Sequence, residues 1–317
     1  MASNVNDIIS AGDLGGGLIP TEYATQIIQN APQSSVMLQR ATTVPMTARN
    51  RTQPVLDSMP LAYWVGGDTG LKQTSKQAWK GLTITAEELA VIVPIPEAVI
   101  ADSSIPLWPE VMPRLAAAIG QAVDKATMFG IDKPTSFPTA VVPAAIAAGN
   151  TVTAGAGKDL AVDVASLGQL LSKQGFAGNG FASKPGMTWQ LVGLRNDNGT
   201  PIYTPALSDT APASLYGYPL GEVVNGAWQT DAAELMLADW SKFVVGLRQD
   251  ISYKILDQAV ISDDEGKIIL NLAQQDSVAL RATFRVGFQV ANPVTELQAD
   301  GTKRYPAGVI VPAVPGV

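Results

Sequence analysis

Four groups of residues in this chain are of types that could do chemistry. The first is Gly155-Ala156-Gly157-Lys158-Asp159, where glycine N–H groups ahead of a lysine could cradle a phosphate. A Walker loop also needs a glycine five positions before the second one and a Ser or Thr after the lysine, and here those places hold Val152 and Asp159. A dinucleotide fingerprint fails at Leu160, where a third small residue is required. The stretch is expected to be a flexible loop. The second group, Asp263-Asp264-Glu265-Gly266, could hold calcium or supply an acid and a base for glycoside cleavage. Lying between two β-like runs, it reads as a solvated hairpin turn. The third, Glu87-Glu88, precedes an apolar run and is expected to begin an element rather than form a catalytic pair. The fourth is the set of six tryptophans, at 64, 79, 108, 189, 228 and 240. Stacking on sugars or bases would gather them, but they are spread over the whole chain, as anchors for cores and interfaces would be.

The chain contains no histidine and no cysteine. That removes Ser-His-Asp and Cys-His catalysis, thiolate chemistry, nitrogen and sulfur zinc sites and disulfides. No GxSxG elbow occurs either. No catalytic residue, metal ligand or cofactor is therefore expected.

The elements around these residues describe a chain built to be covered. Of its 317 residues 46% are hydrophobic and only 15% charged, against roughly 25% charged in ordinary soluble domains, which points to surfaces shielded by other subunits. Net charge is −7, with the basic residues scattered, so there is no electrostatic footprint of a sequence-reading DNA protein. Met1–Ser10 lacks the basic and apolar regions of a secretory signal. The uncharged stretch 134–157 is interrupted by Pro138, Pro143, Gly149 and Asn150 and is not expected to span a membrane.

Residues 1–48 read as an extended arm, in which Thr21 caps a short helix with Tyr23, Ile27 and Ile28 on one side. Thr42–Thr85, rich in Pro, Thr, Gly and Gln, alternates in Leu61–Val65 and Leu82–Thr85 around the polar tip GGDTGLKQTSKQ. This predicts a long two-stranded hairpin, centred on 49–85, that must lie on something, because an isolated hairpin is marginal in water. A β-like run and short helix, ELAVIVPIPEAVIADS, lead into the longest convincing helix. There Val111, Leu115, Ala118, Ile119, Ala122, Val123, Ala126 and Phe129 recur at helical spacing, Glu110 precedes Arg114 by four, Pro109 suits the start and Gly130 the stop. The region 134–242 reads as a loop-rich α+β domain with a turn at Asn196–Gly199. Strict alternation returns in 243–317, notably Leu280, Ala282, Phe284, Val286, Phe288 and Val290, with Arg281, Thr283, Arg285 and Gln289 on the other face.

The order of these segments resembles the major capsid proteins of tailed double-stranded DNA phages, whose α+β fold is named after the Hong Kong ninety-seven phage capsid. GGGLIPTEYATQII is similar to the family's N-terminal arm, the hairpin with LAYWVGG to its extended loop, and RLAAAIGQAVDKATMFG to its spine helix. TWQLVGLRNDNGTPIYTPAL with LYGYPLGEVV is similar to the axial domain, the match being carried by Trp189, Leu191, Leu194, Asp197, Gly199, Pro201, Tyr203, Gly217 and Pro219. ADWSKFVVGLRQDISYKI and QQDSVALRATFRVGFQVANPVTEL resemble the closing strands and helix of the peripheral domain. The resemblance implies an arm (1–48), an extended loop (49–85), a peripheral domain (86–133 with 243–317) and an axial domain (134–242).

It further implies pentamers and hexamers of one chain closing into an icosahedral head around the genome. The hairpin would lie across a neighbouring subunit through Tyr63, Trp64, Lys72, Lys76 and Lys80. Implied partners are the chain itself, scaffolding, portal and decoration proteins, and packaged DNA touched without sequence preference, but no membrane. The implied location is the virion, after assembly in the host cytoplasm. Some relatives crosslink a hairpin lysine to an asparagine with an assisting acid; Asp276 falls near that acid, but the acceptor position falls on Ile269, with Asn271 two residues away, so no crosslink is expected. The alternatives are an encapsulin-like nanocompartment shell of the same fold, a β-rich enzyme using carboxylates alone, and a tail or other virion protein.

Overall fold

A computed structural model describes residues 35–62, 64, 74–102, 107–157, 159–194, 203, 213–263 and 265–313. The expected arm helix capped by Thr21, most of the hairpin tip, and the turn at Asn196–Gly199 lie outside the described residues.

Two sheets organise the chain. The first has four strands, in the order β1 (Thr42–Pro45), β10 (Phe243–Leu256), β13 (Ser277–Val290) and β4 (Glu87–Pro96). Alternation in β13 sets its two faces: Leu280, Ala282, Phe284, Val286, Phe288 and Val290 are all buried, while Arg285 on the opposite face is exposed. Against the buried face lies the long helix α3 (Leu107–Asp124), preceded by the short α2 (Glu97–Asp102). Leu115, Ile119 and Val123 recur at helical spacing and join the sheet residues in one apolar cluster. Ala118 belongs to the same sequence pattern yet is exposed, and Ala122 is half-buried. The helix runs on through a π-turn, Lys125–Phe129, and stops at Gly130, whose φ of 79° is the left-handed conformation that a side chain disfavours.

The second sheet has six strands, in the order β5 (Thr151–Thr153), β14 (Ala307–Val311), β9 (Leu235–Ala238), β6 (Gly180–Ser183), β8 (Tyr218–Glu222) and β7 (Ser214–Leu215). One side faces the same core as α3, through Ala182, Met236 and Ala238. The other is covered by α5 (Leu160–Lys173) and α6 (Met187–Gly193), with Leu167 and Leu171 against Phe181, Leu235 and Ile310. A further helix, α4 (Val141–Ala147), joins the first cluster. β7 and β8 meet at a turn where Tyr216 and Gly217 both have positive φ, 52° and 83°, the conformation tight hairpins need.

Three segments depart from expectation. Thr42–Pro45 is not part of the long hairpin but pairs in parallel with β10, Thr42 opposite Val244 through Pro45 opposite Leu247. The hairpin is shorter, β2 (Asn50–Ser58) with β3 (Ala78–Thr85), and Leu61, Ala62 and Trp64 are not in a strand. Ala307–Val311, expected beside the other strands of 243–317, lies in the six-stranded sheet between β5 and β9. Its AGVIV sequence is buried at both alternating positions, which only an interior strand tolerates, and the Asn150 amide fixes it by donating to the Tyr305 and Ala307 carbonyls. Finally, the closing helix implied by the resemblance is absent from described residues 291–313; in the quoted segments only a single 3₁₀ turn, Trp240–Lys242, is helical.

Candidate assembly surface

The acids that could have formed a catalytic pair are engaged in structure. Glu87 and Glu88 open β4 and are paired with Arg49, at 3.2 Å, and with Arg285 respectively. Asp263 sits in the turn between β11 (Val260–Ser262) and β12 (Ile268–Asn271) and accepts the Glu265 and Lys267 amides at 3.1 and 2.8 Å, with Gly266 left-handed at φ 80°. Asp264 lies outside the described residues. The solvated-turn reading holds. Among the described residues no group of His, Cys, Asp or Glu is arranged to hold a metal.

The glycine loop is not free. Asp163, on the first turn of α5 and buried, reaches back so that its two carboxylate oxygens accept the amides of Gly155 and Gly157, both at 2.7 Å. The backbone donors that could have met a phosphate already hold an internal anion, so the expected flexible loop is a clamped turn.

A second buried acid escaped sequence reading. Asp124, near the end of α3, is fully buried and accepts four hydrogen bonds. Its Oδ1 takes the Ser35 hydroxyl at 2.6 Å and the Met37 amide at 3.1 Å; its Oδ2 takes the Val36 amide at 3.1 Å and the Asn225 side chain at 2.7 Å. Burial pushes the carboxyl above the ordinary aspartate range, against the pull of those donors. One side chain thereby ties α1 (Val36–Arg40), the long helix and the loop before β9 together. Sequence signals for it exist only in retrospect: Ser35 is a natural N-cap, and Asp124 interrupts an apolar helix face. Tyr253, half-buried near Asp250, is pushed up to about 12, chiefly by burial, which leaves it no acid–base role near neutrality.

Several large apolar side chains remain exposed. The hairpin is held at its base, and farther out the Leu56 carbonyl accepts the Val294 amide at 3.1 Å. Ile84 is completely buried with Met46, Ala86 and Val244, and it crosses the first sheet at Gly246 and Gly287, where an added Cβ would meet it at 2.9 and 2.7 Å. The Gln289 side chain donates to the Thr83 carbonyl at 3.2 Å. Beyond this base the strands are mostly exposed on both faces, and Leu61, Trp64 and Trp79 stand in solvent at 75%, 102% and 64% of full exposure. Lys76 and Lys80 are exposed on the same arm, whereas Tyr63 and Lys72 lie outside the described residues. A second exposed group, Trp189, Tyr216 and Tyr218, belongs to α6, β7, β8 and their turn. Trp108, Trp228 and Trp240 are buried, so the tryptophans divide between core and surface. Two exposed apolar groups on separate parts of one chain suit several contacts to identical neighbours.

Comparison with known proteins places the chain in a family. The phage capsid family model matches residues 15–295. The major capsid protein of Staphylococcus phage 80alpha is 26% identical over 302 residues, covering 95% of this chain and 88% of that protein. A solved structure from Microbacterium phage Oxtober96 is 35% identical, covers 96% of this chain and 99% of the other, and superposes with a TM-score of 0.78. One from Mycobacterium phage Adephagia is 33% identical, with 94% and 96% coverage and a TM-score of 0.79. With more than half the chain matched by the model and near-complete coverage of relatives above 30% identity, the chain belongs to the phage capsid family and carries its mixed helix and strand fold.

Proposed function

We propose that this chain is the major capsid protein of a tailed phage, which self-associates into pentamers and hexamers that close into the icosahedral head around double-stranded DNA. The observation that carries this reading is the match to the capsid family across 15–295, which takes in the hairpin, the long helix, the four-stranded sheet and every strand of the six-stranded sheet except β14. The four-stranded sheet with α3 is read as the peripheral domain and the 134–242 unit as the axial domain, with Trp189, Tyr216 and Tyr218 near the capsomer centre. Tyr63, Trp64, Lys72, Lys76 and Lys80 are read as the hairpin's contacts with a neighbouring subunit. Solvent-exposed tryptophans on an arm with no core of its own support that reading. Scaffolding and portal proteins are the further partners, decoration proteins are optional, and DNA is contacted without sequence preference by a chain of net charge −7. The work is structural rather than catalytic, located in the virion after assembly in the host cytoplasm.

The test is electron microscopy of the purified recombinant protein, with light scattering to give the mass of the largest species. Closed icosahedral particles, or pentamers and hexamers that convert to them, are expected. A monodisperse monomer under every assembly condition ends the proposal. A copurifying cargo enzyme in place of nucleic acid moves it to a nanocompartment shell.

A further inference from the structure

Three Asn–Gly steps stand in the sequence, at 179, 198 and 225. In such a step the glycine, lacking a Cβ, leaves its amide nitrogen open to attack the asparagine side chain. Asn198–Gly199 lies outside the described residues, and the fold treats the other two differently. Gly180 is buried in β6 opposite Ala238, so that nucleophile is fixed within a sheet, and Asn179 Oδ1 accepts the Trp240 amide at 3.0 Å. Gly226 is exposed, and residues 223–229 belong to no helix or strand. Asn225 is held there by its side chain: Nδ2 donates to Asp124 Oδ2 at 2.7 Å and Oδ1 accepts the Ala227 amide at 3.0 Å. With both ends of the amide engaged, its Cγ cannot swing to present a face to the Gly226 nitrogen. Gly226 has a φ of 75°, in the left-handed region, so the turn itself demands the residue that makes the step labile.

We propose that Asn225–Gly226 is a self-modification site gated by the Asp124 junction: deamidation is held off while Asp124 grips the amide and proceeds when the junction opens. In the step, the Gly226 nitrogen bonds to Asn225 Cγ, the Cγ–Nδ2 bond breaks, and Nδ2 leaves as ammonia with the proton that the Gly226 nitrogen loses. Water then adds to either carbonyl of the resulting succinimide, giving aspartate or isoaspartate at 225; nothing is oxidised or reduced. The product cannot rebuild the junction. A donor that reached Asp124 at 2.7 Å has become a carboxylate, and two carboxylates at that distance cannot both stay charged. Isoaspartate also lengthens the backbone across the turn. An opening of the contact between α1 and α3 is thereby recorded permanently, marking subunits that fold slowly or come loose. The inference concerns one subunit and goes beyond the shell reading, since it holds whether or not the protein closes into particles.

The test incubates the full-length protein at neutral pH, folded and in urea, and follows each asparagine by peptide mass mapping after digestion in mild acid. In urea, Asn225 and Asn179 are expected to react alike. Folding is expected to slow Asn225 at least about tenfold, because its hydrogen bond to the Asp124 carboxylate must first be broken. Asp124→Ala should return most of that factor at Asn225, while Asn179, at the start of β6, stays protected and reports that the chain is folded. If Asp124→Ala lets both positions react as in urea, the chain has unfolded, and Ser35→Ala, which removes only the hydroxyl donor to Oδ1, is read in its place, with an acceleration confined to Asn225 expected. Three results overturn the proposal: Asn225 reacting as fast in the folded parent as in urea, no reaction at Asn225 even in urea, or a rate at Asn225 no faster than the parent's in whichever variant stays folded. Asn225→Asp supplies the product directly, and the Val36 and Met37 amides should then exchange with solvent at least about tenfold faster than in the parent. Parent-like exchange would show that the product fits the junction and would overturn the permanent mark.

Discussion

Replacing Asp124 with asparagine preserves shape and removes an acceptor, and the structure sets the cost. Each carboxylate oxygen receives two donors: Ser35 Oγ and Met37 N on Oδ1, Val36 N and Asn225 Nδ2 on Oδ2. Whichever way the new amide is turned, its NH₂ faces two of them. Asn225 cannot flip freely to compensate, because its own Oδ1 accepts the Ala227 amide at 3.0 Å. Ser35 can rotate its hydroxyl, but the Val36 or the Met37 amide is left unpaired in the interior in every arrangement. Hydrogen bonds to a charged group contribute about 1.5–3 kcal/mol each, and relief from burying the charge offsets part of the loss, so a net destabilisation of about 2–4 kcal/mol is expected. With unfolding entropy near 2.1 cal/mol/K per residue, a chain of this length loses about 3–6 °C in Tm. The assay is thermal unfolding of unassembled subunits at neutral pH, joined to hydrogen exchange at the Val36 and Met37 amides, which should exchange faster in the variant. A Tm unchanged within about 1 °C, with both amides still protected, would refute the four-donor account and mean that α1 is held by packing alone.

Three further outcomes follow from the same structure. Because burial raises the Asp124 carboxyl in the folded chain above its unfolded value, this group's contribution to stability grows as pH falls through the folded pKa and is complete below the ordinary aspartate value of about 4. The stability gap between the parent and Asp124→Asn should therefore widen between neutrality and that range; a narrowing gap in chemical denaturation would show that the donors outweigh burial. Gly287→Ala places a Cβ at 2.7 Å from both Ile84 Cγ2 and the Thr85 carbonyl, so it should cost about 1–3 kcal/mol and loosen the hairpin base, read as faster proteolysis between Ser58 and Ala78. A parent-like proteolysis rate would contradict the role given to that crossing. Trp64→Ala with Trp79→Ala should leave the subunit within about 0.5 kcal/mol of the parent while lowering the yield of closed particles in electron micrographs; unchanged yield would remove both residues from the interface.

Much of this molecule was legible from periodicity. The apolar spacing of Leu115, Ile119 and Val123 with Gly130 as stop located the long helix, and alternation from Leu280 to Val290 located a half-buried strand, because both patterns are local consequences of 3.6- and 2-residue repeats. Loss of histidine and cysteine excluded whole classes of chemistry by composition alone, and the order of segments carried the family resemblance. Tertiary structure decided what depends on partners distant in sequence. Thr42–Pro45 falls at the start of the stretch read as the hairpin, yet it pairs with β10, about 200 residues away, because strand sequences do not encode which edge they join. Ala307–Val311 crosses to the other sheet for the same reason. Gly155 and Gly157 look like a free anion cradle until Asp163 is seen filling it. Asp124 reads as one more polar residue at a helix end, and only folding brings Ser35 and Asn225 to it from 89 and 101 residues away, turning a solvated charge into a buried junction.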